Sequence, residues 1–84
     1  MFYYTYILKS TRDGKLYTGS TRDLRKRLTQ HNKGLSMYTK NRGPFIIIYY
    51  EACRSEEKAR SRELYLKSGM GKRYLKNRLG APYL

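Results

Sequence analysis

The run Phe45-Ile46-Ile47-Ile48-Tyr49-Tyr50, opened by Pro44 and closed by Glu51, constrains this chain more than any other segment. A near-continuous apolar stretch of this length, rich in β-branched and aromatic residues, predicts a strand covered on both faces, the core strand of a small sheet. It is far shorter than the ~20 residues that a membrane span requires.

Two further strands are predicted upstream. Residues 2–9 (FYYTYILK) and 15–18 (KLYT) carry the same residue types, and Arg12-Asp13-Gly14 between them is a hairpin-turn signal. Alternation puts Tyr4, Tyr6 and Leu8 on one face and Tyr3, Thr5 and Ile7 on the other. Ser20 or Thr21 can cap a helix running to about Asn32, with Asp23 in its first turn and Gly34 as its stop. The segment 34–43 (GLSMYTKNRG) reads as a basic loop. Ser55 followed by Glu56 and Glu57 opens a second helix that reaches Ser68, where Gly69 and Gly71 break it. A last basic helix is expected over about Lys72–Leu79. The order ββαβαα defines one compact α/β (α+β) unit over residues 1–84, a small sheet flanked by helices.

Composition bounds the partners. The chain has 19 Lys plus Arg against 6 Asp plus Glu, a formal charge of +13 in 84 residues. The basic residues are spread along the sequence, so the folded body itself is basic and suited to a polyanion, nucleic acid before an anionic membrane. No helix pairs a wide apolar face with a basic one and lipid-inserting Trp or Phe. The lone Cys53 cannot form an internal disulfide and no Cys/His zinc spacing exists, which predicts a reducing, cytoplasmic setting. Met1–Leu8 lacks the basic n-region and cleavage site of a signal peptide.

Several polar residues lie where the fold would be served by apolar ones. On the first helix Leu24, Arg27, Leu28 and His31 share one stripe, making Arg27 and His31 i,i+4 neighbours beside an apolar seam. On the second, Ala59, Glu63 and Leu66 share a stripe, so a carboxylate stands on the face that packs inward. Helix dipole, strand end and first turn account for Glu56, Glu57, Glu51 and Asp23. Glu63 requires either a salt bridge, with Arg60 or Lys67 as partner, or a chemical task. One carboxylate suits Mg²⁺ or Mn²⁺, which keep waters and share substrate phosphate, and suits zinc poorly. Near such an ion a tyrosine hydroxyl or a bound water ionises more readily, and Arg27 can stabilise a phosphoryl transition state. The combination points to phosphodiester hydrolysis.

Among the ten tyrosines, Tyr3, Tyr4, Tyr49 and Tyr50 are explained by strand packing. Tyr6 and Tyr17 flank the hairpin, and Gly19 permits close backbone approach at the strand end. Tyr38 in the loop could stack on a base. Cys53 reads as a core thiol.

These residues form an ordered set: Tyr4-Thr5-Tyr6, Tyr17-Thr18-Gly19, Thr21, Asp23-Leu24, Arg27-Leu28, His31-Asn32, Arg62-Glu63 and Lys67. The set resembles the GIY-YIG nucleases, specifically the small single-domain group related to the nicking domain of the bacterial excision-repair endonuclease. The resemblance implies a three-stranded antiparallel sheet flanked by helices and divalent-metal-dependent cutting of one DNA strand. Tyr17 takes the position of the tyrosine that activates or positions the attacking water, and Tyr6 that of its companion. Arg27 corresponds to the phosphate-stabilising arginine, and His31 to a position where relatives carry a His or Tyr that assists proton transfer. Glu63 corresponds to the only protein metal ligand, and Asn77 to a downstream asparagine that contacts substrate. Tyr4 stands where the family name has Gly, Thr18 replaces Ile, and Ser20 replaces a lysine of repair-type members, whose phosphate contact would pass to Lys40 or Arg42.

The expected activity is that of a DNA endonuclease cutting structured or weakly specified DNA, with Lys33, Lys40, Arg42, Lys72, Arg73 and Lys76 holding phosphates and an accessory protein as a source of target specificity. Charge alone does not separate DNA from RNA. The alternative is a non-catalytic nucleic-acid-binding module of the same fold.

Overall fold

The structure is a computed structural model that describes residues 1–37, 39–80 and 83. Tyr38, and with it the expected base stacking, lies outside the described residues. Three strands, β1 (Tyr3–Ser10), β2 (Leu16–Thr21) and β3 (Phe45–Cys53), and three helices, α1 (Leu24–Asn32), α2 (Glu56–Lys67) and α3 (Gly69–Leu79), follow the order ββαβαα. The sheet is antiparallel with strand order β2-β1-β3.

That order corrects one expectation. The 45–50 run is not the core strand: β3 is an edge, with Ile46 49% and Tyr50 56% exposed, whereas Thr5, Tyr6, Ile7 and Leu8 of β1 are all buried. The physical reason is pairing. β1 bonds β2 on one side and β3 on the other, so both its edges are paired, and a core packs on each of its faces, while β3 keeps one edge free. A shift in the β1–β3 register between Ile7 and Leu8, where Ile7 faces Tyr49 and Leu8 faces Ile47, turns the apolar run partly outward.

The two faces of β1 organise two cores. Tyr6 and Leu8 pack with Phe45 on the α1 side, joined by Tyr17, Leu24, Leu28 and Ile47. Ile7 packs with Leu66 of α2 and Leu75 of α3 on the other. The β1–β2 hairpin closes around Ser10, whose Oγ accepts from the Arg12 and Asp13 amides, and Gly14 takes φ +74° as the turn requires.

Local capping sets the helix limits. Ser20 and Thr21 belong to β2 and do not cap α1, because pairing with Thr5 and Tyr4 extends that strand to Thr21. Asp23 caps instead, its Oδ1 accepting from the Lys26 amide at 3.0 Å. Ser55 caps α2 as expected. Ser68 ends α2 and caps α3, so Gly69 and Gly71 form the first turn of α3 rather than a break before it. A Cβ on Gly71 would stand 2.0 Å from the Tyr65 carbonyl oxygen, so only glycine lets α3 approach α2 this closely. At the end of α1, Asn32 Oδ1 accepts from the Phe45 amide at 2.6 Å and its Nδ2 donates to the Phe45 carbonyl at 3.3 Å. One side chain thereby acts as a strand partner for the start of β3. No helix among the described residues is long and apolar enough to cross a membrane.

Candidate active site

A cleft of about 680 Å³ follows the free edge of β2, and five consecutive residues of that strand, Leu16 to Ser20, line it. Since neighbouring strand residues point to opposite faces, the cleft reaches both sides of the sheet. Tyr6, Tyr17, Gly19, Arg27, His31, Glu63 and Lys72 all contribute to its wall. These positions, scattered over 67 residues of sequence, meet because β1 and β2 pair, because α2 packs on both strands and carries α3, and because α1 packs against Tyr6, Leu8 and Phe45.

Tyr6, Leu8, Tyr17 and Gly19 share a face, since Tyr6 pairs opposite Gly19 and Leu8 opposite Tyr17. Gly19 is required there: a Cβ would lie 2.5 Å from the Tyr6 hydroxyl oxygen. α1 then places His31 over Tyr6. The Tyr6 hydroxyl and His31 Nε2 are hydrogen bonded at 3.1 Å, and His31 Nδ1 is bonded to Thr39 Oγ1 at 2.7 Å. All three residues are buried. Burial pushes the Tyr6 hydroxyl above the usual phenol value, opposed by the nearby Arg27 cation. It pushes His31 below its ordinary 6.5, helped by Arg27, so the imidazole is neutral at pH 7. Arg27 Nη1 donates to Gln30 Oε1 at 3.1 Å.

Tyr17 stands edge-on to Phe45, with ring centroids 5.4 Å apart, and its hydroxyl accepts from Arg42 Nη1. With its oxygen engaged by a cation, the hydroxyl proton of Tyr17 is directed to another acceptor. Glu63 enters from α2. Its Oε1 accepts from Ser20 Oγ at 2.8 Å and its Oε2 from Lys67 Nζ at 2.8 Å. Its side chain is 22% exposed and that of Lys67 50%. The salt-bridge reading of Glu63 thus has its partner in Lys67, and Arg60 pairs with Glu56 instead.

Of the other predicted contacts, Arg42 reaches the cleft through the Tyr17 hydroxyl, and the rest do not line it. Lys33 lines a neighbouring recess that also touches His31. Lys40 and Arg42 are exposed in the loop that follows α1, and Arg73, Lys76 and Asn77 are exposed on α3. Glu51 is more than a strand-end acid: it accepts from Arg62 Nε at 2.8 Å and from the Tyr49 hydroxyl at 2.7 Å, while the Arg62 guanidinium lies over the Tyr65 and Tyr74 rings. Cys53 is half-buried and bonds the Ser55 carbonyl.

Sequence reasoning missed Ser20 and Thr39 as partners of site residues. Both are contacts across the fold, Ser20 reaching 43 residues along the chain, and neither carries a local signal. The Glu63–Lys67 pair was visible as an i,i+4 spacing.

A metal is tested by the donors present. Among the described residues no group of three or more His, Cys, Asp or Glu side chains could hold an ion, which excludes a closed zinc-type site there. Among the described residues Glu63 is the one carboxylate lining the cleft, and its two oxygens offer about four acceptor positions, two of them used by Ser20 and Lys67. A single carboxylate with room for water and phosphate fits Mg²⁺ or Mn²⁺.

The antiparallel β2-β1-β3 sheet carrying Tyr6 and Tyr17, with Arg27 and His31 on α1 and Glu63 on α2, lies within residues 2–77, which the GIY-YIG catalytic domain family model matches. The chain belongs to the GIY-YIG family. Its relatives are UPF0213 proteins, a small group within that family. UPF0213 protein CPE1444 of Clostridium perfringens is 46% identical over 65 residues, covering 76% of this chain and 69% of the relative. UPF0213 protein SSP2268 of Staphylococcus saprophyticus is 39% identical over 75 residues, covering 88% and 90%. The solution NMR structure of the UPF0213 protein BH0048 from Bacillus halodurans has a TM-score of 0.57 and 38% identity, covering 99% of this chain and 90% of that one.

Proposed function

We infer that the protein is a divalent-metal-dependent endonuclease that hydrolyses a phosphodiester bond in one strand of structured or weakly specified DNA. The observation that carries this reading is the meeting of Glu63, Tyr6, Tyr17, Arg27 and His31 around one open cleft in a protein of charge +13. Tyr6 and His31 are buried, and polar groups clustered in a cleft beside perturbed titratable groups mark a functional site.

Each residue has work suited to its surroundings. Arg27 offsets the extra negative charge that develops on the phosphoryl group. Tyr17, with its oxygen held by Arg42, directs its O–H toward the attacking water and positions it. Tyr6, whose burial raises its pKa and keeps the proton on the oxygen, serves as a hydrogen-bond donor to His31 Nε2 rather than acting as a free base. His31, neutral and buried, can exchange a proton between Nε2 and Nδ1 along the Tyr6–His31–Thr39 chain. Glu63 would hold Mg²⁺ or Mn²⁺, which supplies Lewis-acid stabilisation of phosphate charge when bound. Lys72 at the cleft, with Lys33, Lys40, Arg42, Arg73 and Lys76 around it, holds the flanking phosphates, and Asn77 extends that track along α3. A partner protein is a natural source of target choice, because phosphate contacts carry no sequence information.

The test is a panel of nicked, flapped, branched and fully paired DNA duplexes incubated with Mg²⁺, Mn²⁺ or EDTA. Metal-dependent single-strand cuts, reduced by Tyr17→Phe at equal DNA binding, are expected. Binding without cutting of any substrate favours the non-catalytic binding module.

A further inference from the structure

Among the described residues of the loop from Lys33 to Arg42, side chains face two directions. Ser36 and Thr39 are buried and line the cleft, whereas Leu35 is 70% and Met37 89% exposed. Both apolar residues flank Ser36 directly, so their Cα atoms stand about 3.8 Å from that of a cleft-wall residue. Leu35, Ser36, Thr39 and Arg42 are held by hydrogen bonds. The Leu35 amide donates to the Gln30 carbonyl, Thr39 to that of Ser36 and Arg42 to that of Thr39, while Thr39 bonds His31 and the Arg42 carbonyl accepts from Ser10 Oγ. Leu35 and Met37, in a segment that also carries the exposed cations Lys33, Lys40 and Arg42, gain nothing from the protein's own core.

We propose that Leu35 and Met37 are a wedge that enters a base step of duplex DNA at the cutting site, selecting DNA that unstacks or kinks easily. The proposal rests on the endonuclease reading above and names its substrate class: flexible pyrimidine–purine steps, mismatches and junctions. Apolar wedges partly unstack base steps and kink the duplex, and the unstacking is cheapest where pairing is already weak. The flanking cations supply the charge complementarity, holding the phosphates on either side while the two side chains trade water for base surface. Seating the wedge beside Ser36 and Thr39 brings the distorted backbone to the Tyr6–His31–Thr39 chain, so recognition and chemistry share one loop.

The test uses full-length Glu63→Gln protein, so binding is read without cutting, and duplexes carrying 2-aminopurine beside a mismatch or a TA step. Binding is expected to raise 2-aminopurine fluorescence. Leu35→Ser with Met37→Ser should remove that rise and weaken binding to the mismatched duplex about tenfold, the loss of roughly one buried apolar side chain, while leaving binding to a G·C-rich duplex within about twofold. Leu64→Ser with Met70→Ser, equally exposed on α2 and α3, should change neither. Unchanged fluorescence and affinity in the Leu35/Met37 variant would overturn the wedge. So would loss in that variant of binding to phosphatidylserine vesicles with no change on DNA. Wild-type cutting without any fluorescence rise overturns the wedge alone, whereas failure to bind any DNA overturns the endonuclease reading with it.

Discussion

The Tyr6 hydroxyl and His31 Nε2 are joined by a 3.1 Å hydrogen bond across 25 residues of sequence, inside the core that β1, α1 and Phe45 enclose. Thr39 completes the chain at Nδ1, so both imidazole nitrogens are bonded and the ring orientation is fixed. Tyr6→Phe leaves Nε2 buried without a partner. It should lower stability by about 1–3 kcal/mol, measured by urea denaturation, and reduce cutting at saturating metal more than DNA affinity.

The burial of His31 makes stability pH-dependent. His31 in the folded protein binds its proton less readily than at its ordinary 6.5, through burial first and the Arg27 cation second. The unfolded chain therefore takes up more protons as pH falls. The contribution of His31 is fully present above about pH 6.5 and is lost progressively as pH drops through 6.5 toward the folded value. The urea midpoint of wild-type protein should fall between pH 7.5 and pH 5.5 by more than that of His31→Phe. Parallel profiles for the two proteins would mean that His31 titrates alike in both states.

Gly19 sets the distance between β2 and Tyr6. With a Cβ built 2.5 Å from the Tyr6 hydroxyl oxygen and 2.7 Å from its ring, Gly19→Ala must displace the tyrosine from His31. A destabilisation of about 1–3 kcal/mol and a loss of cutting at least as large as that of Tyr6→Phe are expected from melting and cleavage assays. Gly71→Ala, which meets backbone atoms of α2, should be more damaging to stability.

Much of this arrangement was legible in the sequence. The strands announce themselves by residue type, Ser55 with two glutamates marks the start of α2, and the stripes that carry Arg27, His31 and Glu63 follow from helical spacing. Which strand is central was not legible, because the runs at 3–8 and 45–50 are both apolar and only pairing, a long-range property, distinguishes them. The start of α1 was misplaced for a related reason: Ser20 and Thr21 are good caps in isolation, yet β1 recruits them as strand partners. That recruitment is what turns Ser20 toward Glu63.

Lys67 shares the Glu63 carboxylate with Ser20 at equal distances of 2.8 Å. As a half-exposed i,i+4 pair it stabilises α2 by less than about 1 kcal/mol, so Lys67→Met should melt close to wild type. Removing its positive charge should raise Mn²⁺ affinity at Glu63, read by calorimetry or electron paramagnetic resonance. Weaker Mn²⁺ binding in Lys67→Met would assign Lys67 a positioning role in place of competition.

A body of charge +13 should meet DNA chiefly through phosphate contacts. Affinity for a plain duplex should fall steeply and linearly in a log–log plot against salt, with each phosphate contact contributing about 0.9 to the slope. Lys72→Ala and Arg42→Ala should each flatten it by about one contact, measured by fluorescence anisotropy. A slope near zero in wild-type protein is incompatible with a phosphate-led interface.

The central claim is that Glu63 makes this cleft a metal-dependent nuclease. The most direct measurement is nicking of supercoiled plasmid by wild-type and Glu63→Gln proteins at matched DNA occupancy, with Mg²⁺, Mn²⁺ or EDTA. The account predicts open-circular product from the wild type with either metal, none with EDTA, and a loss of at least about a hundredfold in Glu63→Gln. Nicking by Glu63→Gln at the wild-type rate, or wild-type nicking that persists in EDTA, would contradict it.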